Sequence, residues 1–257
     1  MNIIALKKSK KAGQALLFLF AFFLFQNNAF GQVKTFEVNA FDKVVVSPHI
    51  EVVFLEGPKE SVVIERIDVP VEKLNVKVKN HTLKLYLDGA EIIPKTKKEY
   101  VDGQKKKVSV YNGTVVKAVV TYKNLSALDL RGEESFLFES PVNACDLRMK
   151  IYGESRVVMN ELTLQELKVT LYGESTLEIK RGEIDEQKFT AYGESKVNSE
   201  NVKNNISRVV SYGESIFRLN VSDNLKVTSY GESTVEYTGN ARLTKGVIIG
   251  ENTISKM

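Results

Sequence analysis

The tetrapeptide Tyr-Gly-Glu-Ser occurs five times, at Tyr152–Ser155, Tyr172–Ser175, Tyr192–Ser195, Tyr212–Ser215 and Tyr230–Ser233. Its glycines are spaced by 20, 20, 20 and 18 residues. Degenerate copies flank the run, Gly132-Glu133-Glu134-Ser135 before it and Gly250-Glu251-Asn252-Thr253 after it. A fixed period near 20 with strand-like sequence inside each period predicts a β-solenoid, in which each repeated residue becomes a column on one face. The expected fold is all-β: a right-handed parallel β-helix with coils of about 20 residues, preceded by a β-rich N-terminal region.

Side chains alternate across a strand, so each repeat can be sorted by parity. In the second full copy Leu167, Val169, Leu171, Gly173, Ser175, Leu177 and Ile179 fall on one face. Lys168, Thr170, Tyr172, Glu174, Thr176, Glu178 and Lys180 fall on the other. The other copies sort the same way, and the aliphatic set always has the parity of the glycine. A slip of one residue would bury Tyr, Glu and Lys together, so the pattern fixes the register. Inward Gly and Ser mark a corner where backbones approach too closely for a large side chain. A phosphate-cradling loop is not expected, because no helix follows to aim its N-terminus.

The outward positions form rails. Arg148, Lys168, Lys188, Arg208 and Lys226 make a cationic one; Lys150, Thr170, Thr190, Val210 and Thr228 a Thr-rich one. Tyr152, Tyr172, Tyr192, Tyr212 and Tyr230 make an aromatic rail, and Glu154, Glu174, Glu194, Glu214 and Glu232 a carboxylate rail. These ten residues are the candidate ligand-binding ladder. Two readings compete for each. The tyrosines either stack between coils to hold register or present an aromatic strip to sugar rings or a protein partner. The glutamates either splay into solvent, with Arg156 and Lys196 neutralising some of them, or attract calcium or a cationic partner.

The chain has 257 residues. Lys7, Lys8, Lys10 and Lys11, the apolar run Ala15 to Phe25, and Ala29-Phe30-Gly31 read as a secretory signal peptide over 1–31. The apolar run is too short to span a bilayer, so no transmembrane segment is expected in the mature chain. The chain holds 36 Lys+Arg and 32 Asp+Glu; the four leader lysines have no acidic counterpart, leaving 32 of each. That balance gives no global argument for a nucleic-acid partner or an anionic membrane. Cys145 is the single cysteine, so no internal disulfide forms, and it is expected to be a small buried hydrophobe. His49 and His81 are too few for a multi-histidine metal site, and no metal or cofactor is expected.

Residues 32–122 alternate short apolar runs with turn signals and should form a β-rich region that caps or begins the solenoid. Residues 123–257 carry the repeat, about seven coils with the last irregular. Lys95 to Lys107 reads as a long exposed hairpin tip or loop whose charges solvate an edge rather than form a binding patch. No catalytic residue is expected, since the carboxylates repeat identically while catalysis needs one defined constellation.

The leader, the two-part β-rich body and the segment Leu125-Ser126-Ala127-Leu128-Asp129-Leu130-Arg131-Gly132 resemble the head GIN domain family of putative auto-transporter adhesins, exported proteins of Gram-negative bacteria. The resemblance covers about Phe36 to Ile248. Corners in that family typically read Gly-Ser-Gly or Gly-Ile-Asn; here they read Gly-Glu-Ser behind a uniform Tyr. The resemblance implies a β-helix-like fold, a cell-envelope setting (periplasm, outer surface or extracellular space) and no catalytic residues. The resulting expectation is a non-catalytic adhesin-like or structural module acting through its repetitive face on a glycan or cell-surface protein. The alternatives are a β-helix polysaccharide lyase or hydrolase, and an assembly module whose open end stacks on another copy.

Overall fold

Each repeat folds into one long and one short strand, joined at the Gly-Glu-Ser corner, in the computed structural model, which describes residues 34–101 and 104–257. The long strands Ala127–Gly132, Val142–Gly153, Leu162–Gly173, Gly182–Tyr192, Val202–Tyr212, Asn224–Tyr230 and Arg242–Ile249 stack in parallel in a 10-stranded sheet. The short strands Ser135–Phe138, Arg156–Met159, Thr176–Ile179, Lys196–Ser199, Ser215–Asn220, Ser233–Thr238 and Asn252–Lys256 stack in an 11-stranded sheet. Seven corner glycines from Gly132 to Gly250 thus bound about six turns of a β-solenoid. The signal-peptide segment 1–31 lies outside the described residues.

The register is the one the repeat dictates. Tyr152 lies beside Tyr172 and Gly153 beside Gly173, and Tyr172, Tyr192, Tyr212 and Tyr230 continue the column. The inward aliphatics Leu167, Val169, Leu171, Leu177 and Ile179 are almost fully buried, each stabilising by roughly 1.5–3 kcal/mol relative to exposure. One inward column changes character along the stack, running Leu147, Leu167, Gln187, Ser207 and Leu225. Gln187 Nε2 donates to Ser207 Oγ (2.8 Å) and Ser207 Oγ to Asn204 Oδ1 (2.5 Å), while the buried Gln187 Oε1 has no hydrogen-bond partner among the described residues.

The long strands do not keep one phase. Inward residues at Ala144 and Leu164 are followed by two outward residues before Leu147 and Leu167 resume the inner face. Cys145 sits at this slip and is exposed, contrary to the buried position that strict alternation assigns it. The bend lets one strand turn around the core without leaving its ladder.

Residues before the repeat join the same two sheets. Lys43–Val46 runs parallel to Ala127–Gly132, and Ile50–Glu56 runs parallel to Ser135–Phe138. Val116–Tyr122 and Thr82–Leu87 extend the two sheets in parallel; Ser61–Ile67 and Leu74–Lys79 add antiparallel pairings, and Lys34–Glu37 pairs antiparallel outside Ser61–Ile67 as the edge of its sheet. Phe54 stacks on Phe138 at 4.2 Å, tying this region to the repeat's core. The only helical geometry among the described residues is the 3-10 turn Val71–Lys73. Thr96–Val101 and Gln104–Ser109 form a separate two-stranded ribbon, as the hairpin reading of Lys95 to Lys107 anticipates.

The far end of the stack is an edge in both sheets. There Lys245 occupies the column that Phe189, Val209 and Val227 hold in earlier coils, and the register shifts just after it. A charge at an inward register position and a local irregularity are two devices that block edge-to-edge pairing.

Candidate binding face at the Gly-Glu-Ser corner

The corner explains the second, third and fourth positions of the repeat. Gly173 has φ of +97°, and a Cβ there would lie 2.6 Å from the Gly153 carbonyl oxygen. Only glycine accepts both the backbone conformation and the approach. That carbonyl oxygen accepts the Glu174 N–H (3.0 Å) and the Ser175 hydroxyl (3.0 Å) from the coil above. Ser155, Ser195 and Ser215 donate likewise to Gly132, Gly173 and Gly193. At the last corner Asn252 takes over, donating to the Gly231 carbonyl oxygen at 3.1 Å. Serine is therefore a buried staple, and glutamate, bound only through its backbone, points its carboxylate to solvent.

At the first corner the register places Glu134, not Ser135, in the staple position, since Ser135 lies beside Arg156. Its buried carboxylate accepts the His49 and Glu133 N–H groups, both at 2.9 Å. Loss of hydration on burial holds this carboxyl above its ordinary value, although the two N–H bonds and His49 pull it down. His49 is held at φ +73° in the turn below.

Tyrosine, the second residue type of the face, forms one continuous stack. Ring centroids from Tyr152 through Tyr172, Tyr192, Tyr212 to Tyr230 are 4.7, 5.1, 4.9 and 5.0 Å apart, with interplanar angles of 7° or less. Arg131 caps the lower end, its guanidinium 5.2 Å from the Tyr152 centroid and held by Asp129 at 2.5 and 2.9 Å. Burial raises the Tyr152 phenol above its ordinary value. The geometry separates the two readings of the rail. Faces of the interior rings are occupied by neighbouring rings, so a sugar cannot lie flat on them; what reaches solvent is a row of ring edges and hydroxyls.

On the other side of the glycines, a groove of about 770 Å³ runs along the corner. Glu174, Glu194, Glu214, Glu232 and Glu251 line one wall; Thr176, Lys196, Ile216, Thr234 and Thr253 line the other. The staples Ser195, Ser215 and Asn252 form its floor together with Ser233, whose hydroxyl pairs instead with that of Ser229 at 2.9 Å. Glu154 belongs to the same column one coil lower, by the pairing of Gly153 with Gly173. Lys196 faces this row from the opposite wall without forming an ion pair to it among the described residues. Arg156 turns instead to Glu178 at 4.0 Å, and no rail glutamate forms an ion pair or side-chain hydrogen bond among the described residues. Other carboxylates on the surface are paired, as in Lys168–Glu166 at 2.6 Å and Arg218–Glu236 at 2.8 Å. The described residues hold no group of three or more His, Cys, Asp or Glu placed to hold a metal. The structure thus brings all ten sequence-predicted ladder residues to one corner, tyrosines on one flank and glutamates on the other. Parity alone did not show the groove between the Glu wall and the Thr/Lys/Ile wall, nor the part of Glu251, Asn252 and Thr253 in extending it. The degenerate copy at Gly250 was the available signal.

These features define a two-sheet β-solenoid with a laddered corner. The family model described as "Putative auto-transporter adhesin, head GIN domain" matches residues 40–241, and the chain belongs to that family. Among solved structures it is similar to a putative adhesin from Bacteroides fragilis, with a TM-score of 0.73 at 19% identity over 88% of this chain and 96% of that one. A putative adhesin from Parabacteroides merdae matches with a TM-score of 0.65 at 16% identity, over 90% and 97% of the two chains. A structure described as a putative lipid binding protein from Parabacteroides distasonis matches with a TM-score of 0.61 at 16% identity, over 90% and 98%. At such identities the likeness shows the fold alone. No curated protein matches the chain.

Proposed function

We propose that the chain is an exported, non-catalytic adhesin-like module of the cell envelope that holds a cationic glycan or protein segment in the glutamate-lined groove. Membership of the adhesin-named family supports the class. The uncompensated carboxylate row carries the reading of the site. In-register coils lie about 4.8 Å apart, so neighbouring carboxylates repel by roughly 1 kcal/mol even at the dielectric of water. A partner bearing ammonium or guanidinium groups along its length relieves that repulsion at every coil. The Tyr hydroxyl row on the opposite flank offers such a partner hydrogen bonds rather than stacking surfaces.

A polysaccharide lyase or hydrolase would need one carboxylate pair set apart from the rest. The groove's carboxylates are instead equivalent by register, which favours binding over cleavage. The test is a screen of immobilised amino-sugar glycans and lysine-rich peptides against the wild type and the triple variant Glu174→Gln, Glu194→Gln, Glu214→Gln. The wild type should bind with strong salt dependence, and the variant should lose most of that binding while keeping its far-UV spectrum. Equal binding by both proteins would overturn the proposal.

A further inference from the structure

The ribbon Thr96–Val101/Gln104–Ser109 belongs to neither solenoid sheet and is not used by the corner site. Its pairing places Thr96 opposite Ser109, Lys98 opposite Lys107, and Tyr100 opposite Lys105. Directly opposed residues share a face, so one face of the ribbon carries Lys98, Lys105 and Lys107 around Tyr100 and no acid. Lys98 and Lys107 are like charges directly across from each other, an unfavourable pairing in an isolated two-stranded ribbon. Among the described residues, none of these three lysines forms an ion pair. Tyr100 is 75% exposed, with the Lys105 ammonium 5.8 Å from its ring centroid.

At the root of the ribbon the loop before Lys95 exposes Ile92 (66%) and Ile93 (80%), among the most exposed large aliphatic side chains described. They are not on a loose tether. Ser47 Oγ donates to the Glu91 carbonyl at 2.6 Å, the Lys95 N–H to the Gly89 carbonyl at 2.7 Å, and the Val110 N–H to the Lys95 carbonyl at 3.0 Å. The two isoleucines sit beside Pro48, Pro94 and Tyr152 around a recess of about 570 Å³.

We infer that this ribbon and its isoleucine loop form a docking surface for an anionic lipid bilayer. Lysines along one face match anionic headgroups. An exposed tyrosine among lysines suits the headgroup boundary, where its ring is half apolar and its hydroxyl stays wet. Ile92 and Ile93 decide between a bilayer and a soluble polyanion: a polyanion satisfies the lysines but leaves both side chains in water, whereas a bilayer takes them into its acyl boundary.

The test is vesicle co-sedimentation of the purified protein with phosphatidylglycerol/phosphatidylcholine and with pure phosphatidylcholine vesicles, alongside retention on a heparin column. The wild type should bind the anionic vesicles far more strongly than the neutral ones. Lys98→Gln, Lys105→Gln and Lys107→Gln together should weaken that binding on the order of 100-fold. Ile92→Ser with Ile93→Ser should weaken it about tenfold and leave heparin retention unchanged. All these positions lie outside the solenoid sheets, so the far-UV spectrum should not change. The inference is overturned if the wild type ignores anionic vesicles, or if the isoleucine variant binds them as well as the wild type does. A lysine variant that loses only heparin retention overturns it too and makes the ribbon a polyanion site.

Discussion

Gly173→Ala is the substitution whose cost the structure defines best. The new Cβ would meet the Gly153 carbonyl oxygen at 2.6 Å, and a backbone atom cannot swing aside as a flexible side chain can. The φ of +97° alone costs an L-residue roughly 1–2 kcal/mol. Moving the Gly153 carbonyl weakens its bonds to the Glu174 N–H and the Ser175 hydroxyl, worth about 1 kcal/mol each. The total is about 3–4 kcal/mol, or roughly 10 °C in melting temperature for a chain of this size. Gly113→Ala is the matched control, since φ is +59° there but no atom lies within 4 Å of the added Cβ; it should cost only about 1 kcal/mol. Thermal unfolding followed by far-UV circular dichroism measures both. Equal shifts for the two variants would refute the claim that coil-to-coil approach, and not turn conformation alone, selects glycine at the corner.

Two further predictions concern the C-terminal edge and the first corner of the repeat. Lys245→Val should unmask the C-terminal edge and produce concentration-dependent association in light scattering; a variant as dispersed as the wild type would show that Lys245 does not guard that edge. Glu134 should give stability a pH dependence of known sign. Its folded-state carboxyl titrates above the ordinary 4.5 because of burial, so the folded chain takes up that proton before the unfolded chain does. Its contribution to stability therefore grows as pH falls from neutral through the raised value toward 4.5, and is constant below. Urea midpoints between pH 7 and 4.5 should show Glu134→Gln lacking this component; a wild-type-minus-variant difference that does not vary with pH would contradict it.

The solenoid and its corner were legible in the sequence because the period and the parity agree. The glycine parity gives the inner face, and the same parity puts Tyr and Glu outside without reference to any other element. Three features were hidden for identifiable reasons. Cys145 escapes burial because the long strand slips phase beside it, and a two-residue outward step looks like ordinary alternation until the neighbouring coil is laid alongside. Glu134 replaces serine as a staple, but the nearby Ser135 masks the substitution in a one-dimensional alignment of the copies. The groove depends on which outward columns face each other across the corner, a relation between two sheets that no single repeat encodes. The stacking of the tyrosines follows from their column, yet its consequence, that interior ring faces are unavailable to a ligand, needs the near-parallel rings to be seen.

Successive copies lie directly above one another, and an engineered cross-link tests this. Thr176 and Lys196 are in-register neighbours on the short-strand sheet, so their Cα atoms should lie about 4.8 Å apart, inside the range a disulfide spans. In a Cys145→Ser background, Thr176→Cys with Lys196→Cys should close a disulfide under mild oxidation, read by mass spectrometry. Thr176→Cys with Asn198→Cys, offset by two residues, should remain reduced. Cross-linking of the offset pair in preference to the in-register pair would contradict the ladder and every column built on it.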